Sequence, residues 1–297
     1  AWTYPKGGQS VCSRGPAADK PNLTKLIREI RNEFDRLDKK LQLGVALSGY
    51  KEIITEAYEL AELSKIVDYM TVMTYDYHGA WEGRTGHVSP LYGRKGDRYP
   101  QYNTDYAMQL LIKSGAKREK LIMGIPFYGQ SFTLDRASTT LVGEGVSTSA
   151  PGEPGEFTKQ PGMLAYYEIC HRIRKDKWLT GRDEERKSGP FAMLRNQWVG
   201  YEDPASVEAK ARYAVNNDFG GIAAWTVDLD DFQNRCCSES FPLLKSINRA
   251  LGLLNTEPPM RGNCNRPAAP VTPVPPVMTT VSSDGSLGST IIRQHDH

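Results

Sequence analysis

The feature that most constrains this chain is an alternation of short apolar strands with amphipathic helices, repeated along its length. Leu41 to Leu47 reads as a strand closed by Ser48-Gly49, Val67 to Tyr75 as a second, Leu121 to Phe127 as a third and Gly221 to Val227 as the last. The first helix runs from Asn22 to Leu37, where Leu26, Ile27, Ile30, Phe34 and Leu37 recur at helical spacing between charged residues. Others are expected over Ile53 to Leu63, over Thr104 to Ser114 with Asn103 or Thr104 as cap, from Pro204 to about Asn216, and over Phe241 to Leu251. Strands separated by helices pair in parallel through right-handed crossovers, so the class is α/β. Ala1-Trp2-Thr3-Tyr4-Pro5 reads as the tail of one more strand, ended by a proline that has no N–H for a ladder. The rest of that strand is expected upstream, and an N-terminal alanine in place of methionine also suggests a chain cut from a longer one.

Between Tyr128 and Tyr201 the rhythm breaks into short alternating stretches, Gly/Pro/Ser turns and a helix-like segment around Met163 to Arg174. A structureless loop of that length is uncommon inside a domain, so an inserted α+β subdomain is expected over 128–201, with barrel segments at 1–127 and 202–253. From 254 to 297 the chain is rich in Pro, Thr and Ser, too poor in apolar residues to fold, and of the kind that tethers further modules. A net charge of +2 without a dense basic stripe implies neither a nucleic-acid nor an anionic-membrane partner. No apolar run reaches the roughly 18 residues of a membrane helix. The five cysteines, Cys12, Cys170, Cys236, Cys237 and Cys264, have no metal-ligand spacing, so neither a metal nor a cofactor is implied. Asn22-Leu23-Thr24 is an N-glycosylation sequon, which gains weight if the chain is secreted; a helix-start Asn that is never modified is the equal alternative.

The chemistry gathers at Asp68 to Trp81. Here the strand Tyr69 to Tyr75 turns abruptly into Asp76-Tyr77-His78-Gly79, which cannot continue it in a dry core. In a β/α barrel, sites are built at the carboxyl ends of strands. The same residues would also serve an ordinary strand with a turn at Gly79, Tyr75 and Asp76 merely capping the sheet.

Several of these segments together resemble the family-18 glycoside hydrolases, the chitinases and chitinase-like proteins, most closely those of insects. Met73-Thr74-Tyr75-Asp76 resembles the family's M-x-Y-D strand end, and His78-Gly79 through Trp81-Glu82-Gly83 and Thr85-Gly86-His87 to Ser89-Pro90-Leu91-Tyr92 continues it. Gly124-Ile125-Pro126-Phe127-Tyr128-Gly129 resembles the seventh strand, and Gly220 to Trp225 through Asp228, Asp230, Asp231 and Phe232 the eighth. The resemblance covers roughly residues 1 to 253. It implies a (β/α)8 TIM barrel with an α+β insertion after strand seven, of which strands one to three would precede Ala1. Such an open sheet edge is an association hazard. A Cys170–Cys236 disulfide and an extracellular, secreted setting are implied as well.

Active members of that family end a D-x-x-D-x-D-x-E motif in Asp-Trp-Glu-Tyr-Pro, where the Glu protonates the glycosidic oxygen and the Asp orients the acetamido group. This chain has Ala1 and Thr3 at those two positions. The substrate's own acetamido oxygen attacks the anomeric carbon in this scheme, which leaves the Glu as the indispensable acid. A threonine hydroxyl cannot supply that proton near neutral pH. What the resemblance retains is the binding half: Trp225 as the floor of the central sugar subsite, Tyr75 and Tyr128 at the N-acetyl group with Asp76 beside them, and Trp81 on the product side. Trp2 and Met73 belong to the same strand ends, and Gln130 stands where many relatives have Arg. The implied function is a catalytically silent domain binding chitin or N-acetylglucosamine oligomers. A working endo-chitinase, with Thr3 and Ala1 altered from Glu and Asp, and a chitinase-like signalling protein are the alternatives.

Overall fold

The computed structural model describes residues 16–94, 96–183, 187–236 and 239–257. Ala1, Trp2 and Thr3, and the proline-rich stretch from Pro258, lie outside the described residues. In chain order the first elements are α1 (Asp19–Asp35), β1 (Gly44–Ser48), α2 (Lys51–Ala57), α3 (Leu60–Ile66), β2 (Tyr69–Met73), α4 (Thr104–Lys113) and β3 (Leu121–Pro126). There follow β4 (Tyr128–Ser138), β5 (Thr148–Pro151), β6 (Met163–Ala165), α5 (Tyr166–Lys175), β7 (Leu179–Arg182) and β8 (Pro190–Gly200). The last are α6 (Pro204–Asn216), β9 (Gly221–Trp225) and α7 (Pro242–Ala250).

The strands sort into two sheets. β1, β2, β3 and β9 pair in that order, all parallel, while β5, β4, β8 and β7 form an antiparallel sheet with β6 added on β4. Parallel strands need crossovers, and the intervening helices supply them. Met70, Val72, Leu121, Met123 and Ile125 are fully buried in one cluster with Ile54 and Leu63 of α2 and α3, Leu111 of α4, Val207 of α6 and Leu243 of α7. Each such side chain contributes about 1.5–3 kcal/mol on leaving water. The antiparallel sheet has a second core in which Trp198 stacks on Phe191, with ring centroids 5.4 Å apart, and meets Phe132 edge-on.

In the parallel sheet Ser48 lies opposite Met73, and Pro126 opposite Trp225. The carboxyl ends of these strands therefore finish on one side of the sheet, and the connections leaving them share that side.

Several boundaries differ from those read in the sequence, each for a local reason. The helix expected over Ile53 to Leu63 is two helices, because Tyr58 and Glu59 leave helical geometry and buried Tyr58 accepts the Ser48 N–H at the end of β1. Strand β2 stops at Met73, where Thr74 turns back to bond the Val72 carbonyl, and β9 stops at Trp225 before a 3-10 turn over Val227–Leu229. The segment expected to be helical from Met163 begins as β6, whose Ala165 lies opposite Tyr128. Glu168 then accepts the Ala165 N–H and starts α5. Asn22 falls inside α1, exposed, with Thr24 buried beneath it. The caps of α4 and α6 are Asn103, accepting from Tyr106 N–H at 2.9 Å, and Asp203, accepting from Ser206 N–H at 2.8 Å.

Candidate functional site

An open cleft of about 800 Å³ lies at the carboxyl ends of β2, β3 and β9. Asp76, Trp81, Tyr128, Gln130, Trp225 and Asp228 line it, together with a rim from Pro151 and Gln160 to Met163. Of the residues singled out in the sequence, Asp76, Trp81, Tyr128, Gln130 and Trp225 thus share one cleft.

Asp76 is its centre. Its backbone sits at φ 58, a left-handed conformation that Asp tolerates better than most residues. That twist follows the end of β2 at once and turns the side chain to meet the start of β4. Carboxylate Oδ1 accepts the Tyr128 hydroxyl at 2.7 Å and the Gln130 amide at 2.8 Å. The Asp76 carbonyl accepts the hydroxyl of Tyr50, from the end of β1. Three strand ends thereby converge on one residue. Burial raises the Asp76 carboxyl above the usual range, opposed by the two hydrogen bonds, which favour its ionised form. The same burial, reinforced by the Asp76 charge, holds the Tyr50, Tyr75 and Tyr128 hydroxyls protonated, so all three can donate at any physiological pH.

Tyr75 packs edge-on against Tyr128, with ring centroids 6.2 Å apart. This requires Gly124 in β3, where a Cβ would stand 2.5 Å from the Val72 carbonyl oxygen and 2.9 Å from the Tyr75 ring. Met73 ends β2 and is half-buried. The two indoles behave unlike core residues: Trp225 is 59% and Trp81 56% exposed. Large aromatic faces held open on a cleft are a recognition surface for a flat apolar ligand face.

Trp81 rides on the loop after β2, and buried polar contacts fix that loop. His87 bonds the Tyr201 carbonyl through Nε2 at 2.7 Å and accepts the Ser89 N–H through Nδ1 at 3.0 Å, so the ring is the neutral Nε2–H form. Burial also lowers its basicity. Ser89 Oγ donates to the Thr74 carbonyl, and Lys210 Nζ donates to Ser89 O, Ser89 Oγ and Glu202. His78 and Glu82, which flank Trp81 in the sequence, pair at 2.7 Å.

Asp230 and Asp231, both fully buried, work elsewhere. Asp230 accepts the N–H groups of Asp231, Leu243 and Leu244, and Asp231 those of Arg235 and Cys236. They cap α7 and the disulfide loop and do not reach the cleft, whereas Asp228 lines it. Tyr50 and Asp228 were not picked out as site residues from the sequence. Tyr50 carried a usable signal, an aromatic directly after a strand-closing Ser-Gly, the same strand-to-aromatic switch seen at Tyr75. Cys170 and Cys236 are joined as a disulfide tying α5 to the segment after β9, with Cα atoms 5.7 Å apart.

Residues 1–230 match the glycosyl hydrolases family 18. The chain belongs to this family. All of it aligns, at 67% identity over 296 residues, with 13% of the Drosophila melanogaster protein named probable chitinase 10. A mutant of catalytic domain 2 of the Ostrinia furnacalis Group II chitinase, in complex with an (NAG)5 oligomer, superposes with a TM-score of 0.80 at 39% identity. That match covers 84% of this chain and 65% of the other. Human YKL-39, described as a pseudo-chitinase with retained chitooligosaccharide binding, superposes with a TM-score of 0.73 at 36% identity over 80% of this chain and 66% of its own. The chain thus spans less than two thirds of each of these relatives. As a family-18 fold the chain is of the TIM-barrel type, and β1, β2, β3 and β9 with their crossover helices are its parallel strands.

Proposed function

We propose that this family-18 chain binds N-acetylglucosamine oligomers and does not cut them. The observation that carries the reading is Trp225, an indole left open at a strand end beside the Asp76–Tyr128 pair. A pyranose laid on that indole buries its apolar face and brings its 2-acetamido group toward Tyr75, Asp76 and Tyr128, with Trp81 serving the next sugar. Hydrolysis would need an acid at the glycosidic oxygen, and by the family motif the residue in its place is Thr3, with Ala1 in place of its carboxylate partner. General acid and base groups supply about 10²–10⁴ in rate. Asp230 and Asp231 cannot substitute, since their oxygens are taken up by backbone amides. The relatives described as binding chitooligosaccharides support the ligand class. Under this reading residues 128–201 are the inserted subdomain between barrel segments 1–127 and 202–253, and 254–297 is a linker to further modules of a secreted protein.

The test is calorimetry with N-acetylglucosamine tetramer to hexamer, alongside an assay for released reducing ends. Binding without release is expected, and Thr3→Glu with Ala1→Asp should raise release above background. Wild-type turnover comparable to an active chitinase, or no oligomer binding at all, would overturn the reading.

A further inference from the structure

The charges that the described residues bring to the cleft do not balance. Among the described residues that line it, the charged side chains are Asp76 and Asp228, both acidic. The hydrogen bonds to the Asp76 carboxylate come from two neutral donors, the Tyr128 hydroxyl and the Gln130 amide, and both fall on Oδ1. No hydrogen bond from a described residue reaches Oδ2. A half-buried carboxylate that receives no cation from the described lining favours a ligand able to bring one over a neutral ligand.

We propose that the preferred ligand is a partly deacetylated oligomer, in which a glucosamine ammonium seats against the Asp76 carboxylate. This rests on the reading of the cleft as an N-acetylglucosamine-oligomer site. An amine stands at the same ring carbon as the acetamide, so the sugar can keep its place on Trp225 while a neutral amide is exchanged for a cation with three donors. Gln130 is the residue that decides the preference. A guanidinium there would fill the charge deficit from the protein side, whereas the amide present leaves it to the ligand. With Thr in place of the acid, the glycosidic oxygen is not protonated and the acetamido oxygen cannot displace it from the anomeric carbon, so turnover places no demand for the acetyl group on this sugar.

The experiment is titration calorimetry near neutral pH with the N-acetylglucosamine tetramer and with each tetramer carrying a single free amine. One positional isomer is expected to bind about tenfold more tightly than the fully acetylated tetramer, the size of one charge-assisted hydrogen bond. Added salt should shrink that advantage. Gln130→Arg should abolish or invert it, and Gln130→Leu, which adds no cation, should leave the ratio in favour of the amine. If the acetylated tetramer binds and every amine-bearing isomer binds equally or worse, the inference fails and the sugar reading stands. If no tetramer binds, the sugar reading itself fails.

Discussion

At the scale of single residues, the cleft depends on backbone that leaves room for rings. Gly79 is the clearest case: a Cβ there would stand 2.1 Å from the Trp81 ring. Trp81 is exposed, so Gly79→Ala should displace the indole and leave the fold in place. The expected outcome is weaker oligomer binding with little change in Tm, which calorimetry and thermal unfolding read separately. Trp225→Ala should cost more, about 1–3 kcal/mol of binding, the range for losing a large side chain's buried contact. A Gly79→Ala protein that binds as wild type does would place Trp81 outside the ligand's path.

At the scale of elements, the carboxylates around β9 divide between cleft and fold. Asp230 sits before α7 and accepts three backbone N–H groups, which lower its pKa, yet burial outweighs them and raises the carboxyl to about 6. An unfolded Asp titrates near 3.9. The folded state therefore holds this proton more tightly than the unfolded chain, and the stability due to the group falls as pH rises from about 4 to about 6, then levels. Asp230→Asn keeps one acceptor oxygen and removes the ionisation. Denaturant unfolding from below the first of these values to above the second should show the variant gaining on wild type by about 3 kcal/mol, at 1.36 kcal/mol per pK unit; parallel profiles would refute the assignment. Much of this level was open to sequence reasoning, since propensity and spacing located α1, α4, α6, α7 and the four parallel strands, with Asn103 among the caps. The split at Tyr58 was not, because it is set by a hydroxyl meeting Ser48, a contact that no local pattern encodes. Nor were the partners of Asp76, which lie 52 and 54 residues away and become neighbours only when β4 follows β3. The sharing of work between Asp228, lining the cleft, and Asp230 and Asp231, bonded to backbone, was equally hidden. One short run of like residues supplies both.

For the whole molecule, the question is what holds the loop after β2 to the segments that follow the antiparallel sheet. The joint is the buried ion pair of Lys210 in α6 with Glu202, just past β8. Lys210 also donates to both oxygens of Ser89, and Ser89 in turn to Thr74, so one ammonium ties α6, the end of β8 and the loop that carries Trp81. Burial lowers the Lys210 pKa, while the Glu202 charge and hydrogen bond work against that shift and favour the ammonium. Lys210→Met would leave the Glu202 carboxylate buried without its cation, a change that costs about 3–5 kcal/mol. Removing both charges, with Lys210→Met and Glu202→Leu together, should recover most of that loss, because replacing a buried pair by apolar side chains is often close to neutral. The two variants and Glu202→Leu alone complete a cycle whose coupling term, read by denaturant unfolding, should be well above the 0.5 kcal/mol typical of independent sites. The double variant carries the functional reading. If the pair serves stability alone, oligomer affinity returns together with the unfolding free energy. If its three-way contact also sets the Trp81 loop, affinity stays low after stability has recovered, since no apolar side chain can bond both Ser89 oxygens. The second outcome is expected, for Ser89 belongs to the same loop as Trp81 and bonds the Thr74 carbonyl at the end of β2.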